Sequence, residues 1–393
     1  MTGRILRGLI APVAAAVAAI IISSIALLLS GNDPVEAFRE MWKTIDSTQS
    51  ITIIINTAVP LYISGVAVAI GFKMNLFNIG SNGQYLLAAL VAGWAGAEVS
   101  LPPFLHVPFI FLVAILVGGS WALIAGILNV TRNVNVVIST IMLNYIAIGL
   151  SAFLLSELFR DRENGGLVAQ TKEIPASGQL PPLNALFEWF GFEFGEGVEL
   201  FGFFPFAIAL GVGYHILLNR SRFGYDLRLS GTNPEAALSS GVNPKKMVLI
   251  TLFMSGAVAG MIGLPYLMAD PTFLKYGDAF PTMLGFTGLG IALLGRNSPV
   301  GIAAAAIVWA TIERATQRLG PIGVPPEIGR ILQGSFLLAA VIAYEVVKRR
   351  NDAAAAAAAA QATQDERLAS GTDSDGESSD GPAPSPTSPG GER

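Results

Sequence analysis

Long charge-free stretches, separated by short polar segments, dominate the first 347 residues of the chain. A bilayer core about 30 Å thick is crossed by about 20 apolar residues in a helix. The pattern therefore predicts an all-α membrane protein, a polytopic bundle of about ten transmembrane helices, or nine, because two or three stretches are short. The predicted spans are 10–29, 47–72, 74–97, 107–130, 134–156, 200–219, 247–269, 279–295, 297–312 and 326–347.

The first predicted span, 10–29, follows Arg4 and Arg7, as the core of a signal peptide would. An apolar core of about 20 residues is too long for most signal peptides, and no small-residue cleavage site follows it. An uncleaved membrane helix is therefore predicted.

Helix breakers within three spans predict kinked or discontinuous helices at Pro60, Pro265 and Gly285. Membrane proteins tolerate such breaks where neighbouring protein or a water-filled cavity satisfies the backbone. Some of the spans are therefore expected to be short or broken.

Lysine and arginine positions set the expected orientation. With the N-terminus inside, thirteen basic residues precede the far tail on the inner side and nine lie outside. Both termini are then cytoplasmic. The amphipathic segment 33–46 and the long polar loop 157–199 lie outside, where the aromatic residues Phe187, Trp189 and Phe190 are expected at the membrane surface.

Composition agrees with a membrane protein, since 52% of the 393 residues are hydrophobic and only 13% are charged. A net charge of −4 and a pI of about 5.4 weigh against nucleic-acid binding. The chain has no cysteine and only His106 and His215 as histidines, so no metal site is expected. Two parts are predicted: a transmembrane domain, 1–347, and a disordered Ala/Ser/Pro/Asp-rich cytoplasmic tail, 348–393.

The spans are almost free of charge, and Glu313, Arg314 and Glu345 lie near predicted ends. Ion-coupled carriers and channels usually carry charged groups inside the membrane, so an ion-coupled secondary carrier is disfavoured. The phosphate-binding motif GxxxxGK[ST] is absent from the chain. No catalytic residues are expected, and if the chain transports a solute uphill, the energy must come from a partner.

The longest inner segment, 220–246, contains the pattern of a short capped helix. Asn233 suits the N-cap, Pro234 the first helical position and Glu235 the positive end of the helix. Gly241 can end it in a left-handed turn. From these residues alone, both a docking helix and a plain surface turn between spans remain open.

Three blocks together resemble one protein family. They are GTNPEAALSSGVN, with Gly231, Asn233, Pro234, Ala236, Ala237 and Gly241 at recurrent positions, FNIGSNGQY from Phe77 to Tyr85, and ALLGRNSPVG from Ala292 to Gly301. Over residues 50–345 the chain resembles the permease subunits of ABC importers for nucleosides, simple sugars and branched-chain amino acids, in the nucleoside-type branch. Asn82 departs from the acid usual in that family, so a role requiring a carboxylate does not carry over.

The resemblance implies an importer subunit in a bacterial plasma membrane, not an enzyme. A second permease, commonly a different homologous chain, would complete the pathway, and an extracytoplasmic substrate-binding lipoprotein would deliver cargo. A cytoplasmic ATP-binding subunit would bind ATP and Mg, with no cofactor on this chain and no nucleic acid polymer as partner; membrane lipid would surround the bundle. The residues implied in ATPase coupling are Gly231, Asn233, Pro234, Glu235, Ala236, Ala237 and Gly241.

Polar residues within apolar surroundings are the candidates for the substrate pathway. Amides can both donate to and accept from an uncharged polar cargo. The candidates are Asn56, Asn75, Phe77, Asn78, Ser81, Asn82, Gln84 and Asn144. Phe77 is a candidate because an aromatic ring can stack on a base. The alternative for the polar residues is hydrogen bonding within the protein, to backbone at a helix break or between helices. Nucleosides are the expected cargo; the alternatives are ribose-like sugars or another small polar solute.

Overall fold

The computed structural model describes residues 17–162, 168–191, 194, 197–325 and 327–339, with isolated positions at 342, 346, 349, 353 and 361. Over these residues the fold is helical, and β pairing is limited to one isolated antiparallel bridge, Gln170 to Gly277. The helices are α1 (Val17–Leu29), α2 (Pro34–Trp42), α3 (Thr48–Phe72), α4 (Ser81–Glu98), α5 (Pro103–Arg132), α6 (Val136–Glu157), α7 (Asn184–Glu188), α8 (Phe204–His215), α9 (Arg222–Thr232), α10 (Pro234–Ser239), α11 (Pro244–Gly260), α12 (Leu264–Met268), α13 (Leu284–Leu294), α14 (Pro299–Gln317) and α15 (327–339).

Four helical segments in the described part of the chain are long and apolar enough to cross a membrane. They are α3, α5, α6 and the helical segment Pro244–Met268, which is made by α11, a 3₁₀ turn and α12, while α1 and α13 are shorter and apolar. The all-α membrane class is confirmed; the number of spans and the orientation stay predictions. The start of the first predicted span, most of the end of the last one and the tail lie outside the described residues.

Several predicted spans differ in their bounds from the helices that the structure shows. The third span does not start at residue 74, because residues 73–80 form turns and α4 begins only at Ser81. The span predicted to end at residue 312 continues as α14 to Gln317, so Glu313 lies inside the helix. Charge alone was a poor marker of its end because long charged side chains can lie along a helix while their charged groups reach water.

The three predicted helix breaks have different outcomes. At Pro265 a 3₁₀ turn, Met261–Gly263, does interrupt the helix, and the proline occupies the first turn of α12. Gly285 lies at the start of α13, not in its interior. At Pro60, α3 continues as one helix, so it is not discontinuous there, and a kink at this proline stays a prediction.

Small residues allow α5 and α11 to pack backbone to backbone. A Cβ atom built on Gly118 would lie 2.4 Å from the Gly256 carbonyl oxygen, and one on Gly260 would lie 2.2 Å from that of Ala114. Such small residues four apart are the usual means of close helix packing in membranes, where lipid supplies no hydrophobic drive. The α5–α11 seam and α3, which also packs against α8, α13 and α14, form the centre of the bundle.

The loop between α6 and α8 is held against the segment that follows α12. Backbone hydrogen bonds join Thr171 N–H to Tyr276 O at 2.8 Å and Ile174 N–H to Leu274 O at 2.9 Å. The aromatic residues predicted at the membrane surface lie in and just after α7, where Trp189 is 82% exposed. The described part of the long polar loop is therefore an ordered cap on one end of the bundle.

A second apolar cluster joins the two ends of the described chain. It brings α1 and α2 together with the segment after α14 and with α15, through Leu27, Ala37, Leu319, Val324, Ile328 and Leu332. The Ser23 and Ser335 hydroxyl oxygens lie 3.3 Å apart within this packing.

Candidate translocation and coupling sites

Asn78 is the centre of a buried hydrogen-bond cluster at the start of α4. Its amide oxygen accepts from Gly80 N–H at 3.1 Å and from Gln84 Nε2 at 3.0 Å. Its amide nitrogen donates to Gln84 Oε1 at 3.0 Å and to Ser255 Oγ at 2.9 Å. The Ser255 hydroxyl donates in turn to Ala67 O at 2.7 Å. One side chain thus ties α4 to α11 and α3.

Two further candidates bond to backbone in the same region. Asn144, on α6, accepts from Gly83 N–H at 2.8 Å and donates to Ile79 O at 2.8 Å. Ser81 donates its hydroxyl to Gly285 O at 2.8 Å, which joins α4 to α13. The structure uses these polar groups between helices, and their contact with cargo stays a prediction.

Asn82 and Tyr85 differ from their neighbours because their side-chain oxygen atoms have no hydrogen-bond partner among the described residues. Asn82 is 1% exposed and Tyr85 is fully buried, yet the Asn82 Oδ1 and Tyr85 hydroxyl form no hydrogen bond within the described residues. A Cβ on Gly285 would lie 2.3 Å from Asn82 Cα, so α13 packs directly on this point. Buried groups without a partner are uncommon in folded proteins and mark positions of interest.

Asn56 lies away from this cluster. Its amide donates to Glu199 O at 2.7 Å and accepts from Phe201 N–H at 3.0 Å, so it fastens α3 to the chain that enters α8. The aromatic candidate, Phe77, is 49% exposed and makes an edge contact with Phe72, with ring centroids 4.9 Å apart.

Asn75 joins the two regions that were predicted separately. It has a left-handed backbone, with φ 57°, and its amide donates to Gly231 O at 2.9 Å. A Cβ on Gly231 would lie 2.5 Å from the carbonyl carbon of Met74, so only glycine allows this approach. The turn before α4 and the end of α9 are therefore in direct contact.

The short helix α10 forms with the caps that the sequence predicts. Asn233 Oδ1 accepts from Ala236 N–H at 3.0 Å, and Pro234 begins the helix. Gly241 has φ 79°, and its N–H donates to Leu238 O at 3.0 Å while Val242 N–H donates to Ala237 O at 2.9 Å. These two bonds are the Schellman arrangement that ends a helix.

Sequence reasoning missed two features beside α10. Leu238 is 61% exposed on this helix, an apolar side chain that the cap pattern did not single out. The preceding basic stretch forms helix α9, whose N-cap Ser221 accepts from Gly224 N–H at 3.2 Å. The serine before a helical run was the available signal.

Positive charge gathers where α9 meets the end of α3. The Arg228 guanidinium donates to Leu218 O, and burial and the nearby Arg228 charge lower the pKa of Lys73. Two cations in one half-buried region make this end of the bundle electropositive.

A comparison with protein families matches most of the described bundle. Residues 50–341 match the family described as branched-chain amino acid transport system / permease component. No solved structure matches the chain.

Three named relatives each match most of the chain. The glucose ABC transporter permease protein TsgB13 of Haloferax volcanii is 32% identical over 86% of this chain and 88% of its own. The guanosine ABC transporter permease protein NupP of Bacillus subtilis is 29% identical over 87% and 95%. The nucleoside ABC transporter permease protein NupB of Lactococcus lactis is 28% identical over 87% and 92%.

A second guanosine permease of Bacillus subtilis, NupQ, is also similar, at 24% identity over 67% of this chain. The chain is thus similar to two differently named permeases of one organism.

Proposed function

The chain belongs to the branched-chain amino acid transport system / permease component family, and from this premise we propose that it is a membrane subunit of an ATP-driven importer of nucleosides. It forms the translocation pathway together with a second permease. ATP and Mg bind a cytoplasmic partner, and a substrate-binding lipoprotein delivers the cargo outside.

The observation that carries this proposal is the contact between Asn75 and Gly231. It joins the turn before α4, where the polar candidates cluster, to the α9–α10 segment. The exposed side of α10 is free to enter a groove on the ATPase, and motion of α10 then reaches α4 through this contact. A rigid-body shift of packed helices is the usual form of such a switch.

Nucleosides are favoured as cargo by two lines of support. The names of NupP and NupB give guanosine and nucleosides, and their alignments cover nearly their whole length. The FNIGSNGQY block is also the one that resembles the nucleoside-type branch.

The pair NupP and NupQ supports a second, different permease as the partner.

Uptake of labelled uridine and guanosine, in cells with and without this gene, tests the proposal. We expect gene-dependent uptake that excess ribose and excess glucose do not block. A strain lacking other nucleoside transporters serves as the host, and gene complementation restores uptake. Nucleoside uptake that does not depend on the gene would overturn the assignment of cargo.

A sugar is the second candidate, and TsgB13 is the observation that favours it, since its name gives glucose at 32% identity. Gene-dependent uptake of labelled glucose or ribose, with uridine failing to compete, would support this candidate instead.

A further inference from the structure

A cavity of about 500 Å³ lies at the end of the bundle formed by the ordered loop. Its walls come from the start of α3, from residues 197–201 before α8, and from α12 with residues 270–272. Small-molecule sites are typically concave pockets of about 300–1,000 Å³ with a few convergent polar groups. In the predicted orientation, this cavity opens on the outer side, where cargo arrives.

The charge of the cavity restricts what it can hold. Glu199 and Asp270 line it, and the described residues of its wall include no lysine or arginine. A phosphate or a carboxylate on the cargo would face two carboxylates with no cation to compensate them. Nucleotides are therefore poor ligands, whereas a neutral polyhydroxy compound meets acceptors for its hydroxyl groups.

Several lining groups have hydrogen-bonding capacity to spare. Asp270 uses Oδ1 to accept from Thr272 N–H at 2.9 Å, which leaves the other carboxylate oxygen for a ligand. Gln49 and Thr57, on one face of α3, line the cavity and their side chains make no hydrogen bond within the described part of the chain. Asn56 differs, because both of its amide atoms hold the loop wall in place.

An aromatic surface completes the cavity. Tyr266 lines it and is held by edge contacts with Phe273 and Phe280, at centroid distances of 5.3 Å and 5.9 Å. A ring fixed in this way can pack against a flat base or the apolar face of a sugar ring.

We propose that this cavity is a receiving site for the nucleoside, in which Asp270, Gln49 and Thr57 hydrogen-bond the ribose hydroxyls and Tyr266 packs against the cargo. It rests on the proposed function for the identity of the cargo. The chemistry of the site selects neutral ribosides over their phosphate esters.

The absence of cysteine from the chain makes a direct test possible. Thr57→Cys places a single thiol in the cavity wall, and Asp278→Cys places one on an exposed loop that does not line it. Both are expressed with the complete importer in intact cells, and a membrane-impermeant thiol reagent is followed by the mass shift of this chain. We expect uridine to slow labelling of Thr57→Cys and not of Asp278→Cys, and uridine monophosphate to protect neither.

A kinetic variant checks that protection reflects contact with cargo. Asp270→Asn keeps an oxygen for Thr272 N–H but removes the charged acceptor, so KM for uridine uptake should rise about tenfold with little change in maximal rate. Asp278→Asn is the matched control and should leave KM unchanged.

The outcomes separate this inference from the assignment of function. Gene-dependent uridine uptake with no protection at Thr57→Cys, or with no labelling there while Asp278→Cys reacts, overturns the receiving site alone. Protection by glucose and not by uridine overturns the nucleoside and retains the cavity as a sugar site. Protection by uridine monophosphate overturns the argument from charge.

Discussion

At the scale of single residues, Asn78 and Asn82 are equally buried, but only Asn78 is well hydrogen-bonded among the described residues. Each is 1% exposed, but Asn78 bonds to Gly80, Gln84 and Ser255, whereas the Asn82 Oδ1 has no hydrogen-bond partner in the part of the chain that the structure describes. Removing a buried partner costs the desolvation of the groups left behind, whereas removing a side chain that makes no bond does not. The two asparagines therefore form a matched pair for mutation.

We expect Asn78→Ala to destabilise the protein by about 1–3 kcal/mol more than Asn82→Ala, because Gln84 and Ser255 lose partners only in the first variant. The measurement is thermal unfolding of each purified variant in the same detergent. Equal losses of stability would mean that the Asn78 cluster contributes little to the fold. A loss of uptake in Asn82→Ala with normal stability would instead place Asn82 in contact with cargo.

At the scale of helices, the α5–α11 seam depends on the absence of side chains. Gly118→Ala places a Cβ against the backbone oxygen of Gly256, which no rotamer change can relieve. We expect a loss of about 1–3 kcal/mol, as in other overpacked contacts, measured by thermal unfolding. Gly213→Ala in α8 is the control, since no atom lies within 4 Å of the added methyl group. There alanine should be neutral or stabilising, and an equal loss in both variants would contradict a packing role for the seam.

The second prediction at the scale of helices concerns the exposed side of α10. Leu238 is 61% exposed, so Leu238→Glu removes little from the fold of the chain but puts charge on the proposed ATPase contact. Burying a leucine contributes about 1.5–3 kcal/mol, so we expect about tenfold weaker association with the ATPase and a matching fall in uptake. Co-purification of the ATPase with tagged permease measures this.

The control for α10 is Leu238→Met, which keeps the apolar volume and should retain the ATPase. Gly241→Trp adds bulk beside the same helix; no other atom lies within 4 Å of the new Cβ, but a side chain also strains the left-handed backbone that ends α10. Normal uptake by well-expressed Leu238→Glu and Gly241→Trp would contradict the docking role.

Some features of the helices could be predicted from the sequence, and others could not. Helix α10 was predictable because each of its ends is set by a local residue, Asn233 and Gly241. The bonds of Asn78 were not, since Ser255 lies 177 positions away and only the packing of α4 on α11 brings it near. Likewise, the proposed receiving site is lined by residues from α3, α12 and the loop before α8, and no periodicity or motif links those segments.

At the scale of the whole molecule, the segment from α11 to α12 predicts which regions lie on opposite sides of the membrane. Pro244–Met268 contains 25 residues, which as a helix span roughly 37 Å, more than a bilayer core of about 30 Å. If this segment crosses the membrane, Lys245 at its start and Asp278 beyond its end face opposite sides. The positive-inside rule predicts that Lys245, and with it α10, lies in the cytoplasm.

Single cysteines test this orientation without background from other thiols, because the chain has none. We expect a membrane-impermeant reagent to label Asp278→Cys in intact cells and Lys245→Cys only after the cells are permeabilised. Both positions are exposed, so burial does not account for a difference between them. The reverse pattern would put α10 outside, where no ATPase can reach it, and labelling of both in intact cells would contradict a membrane span between them.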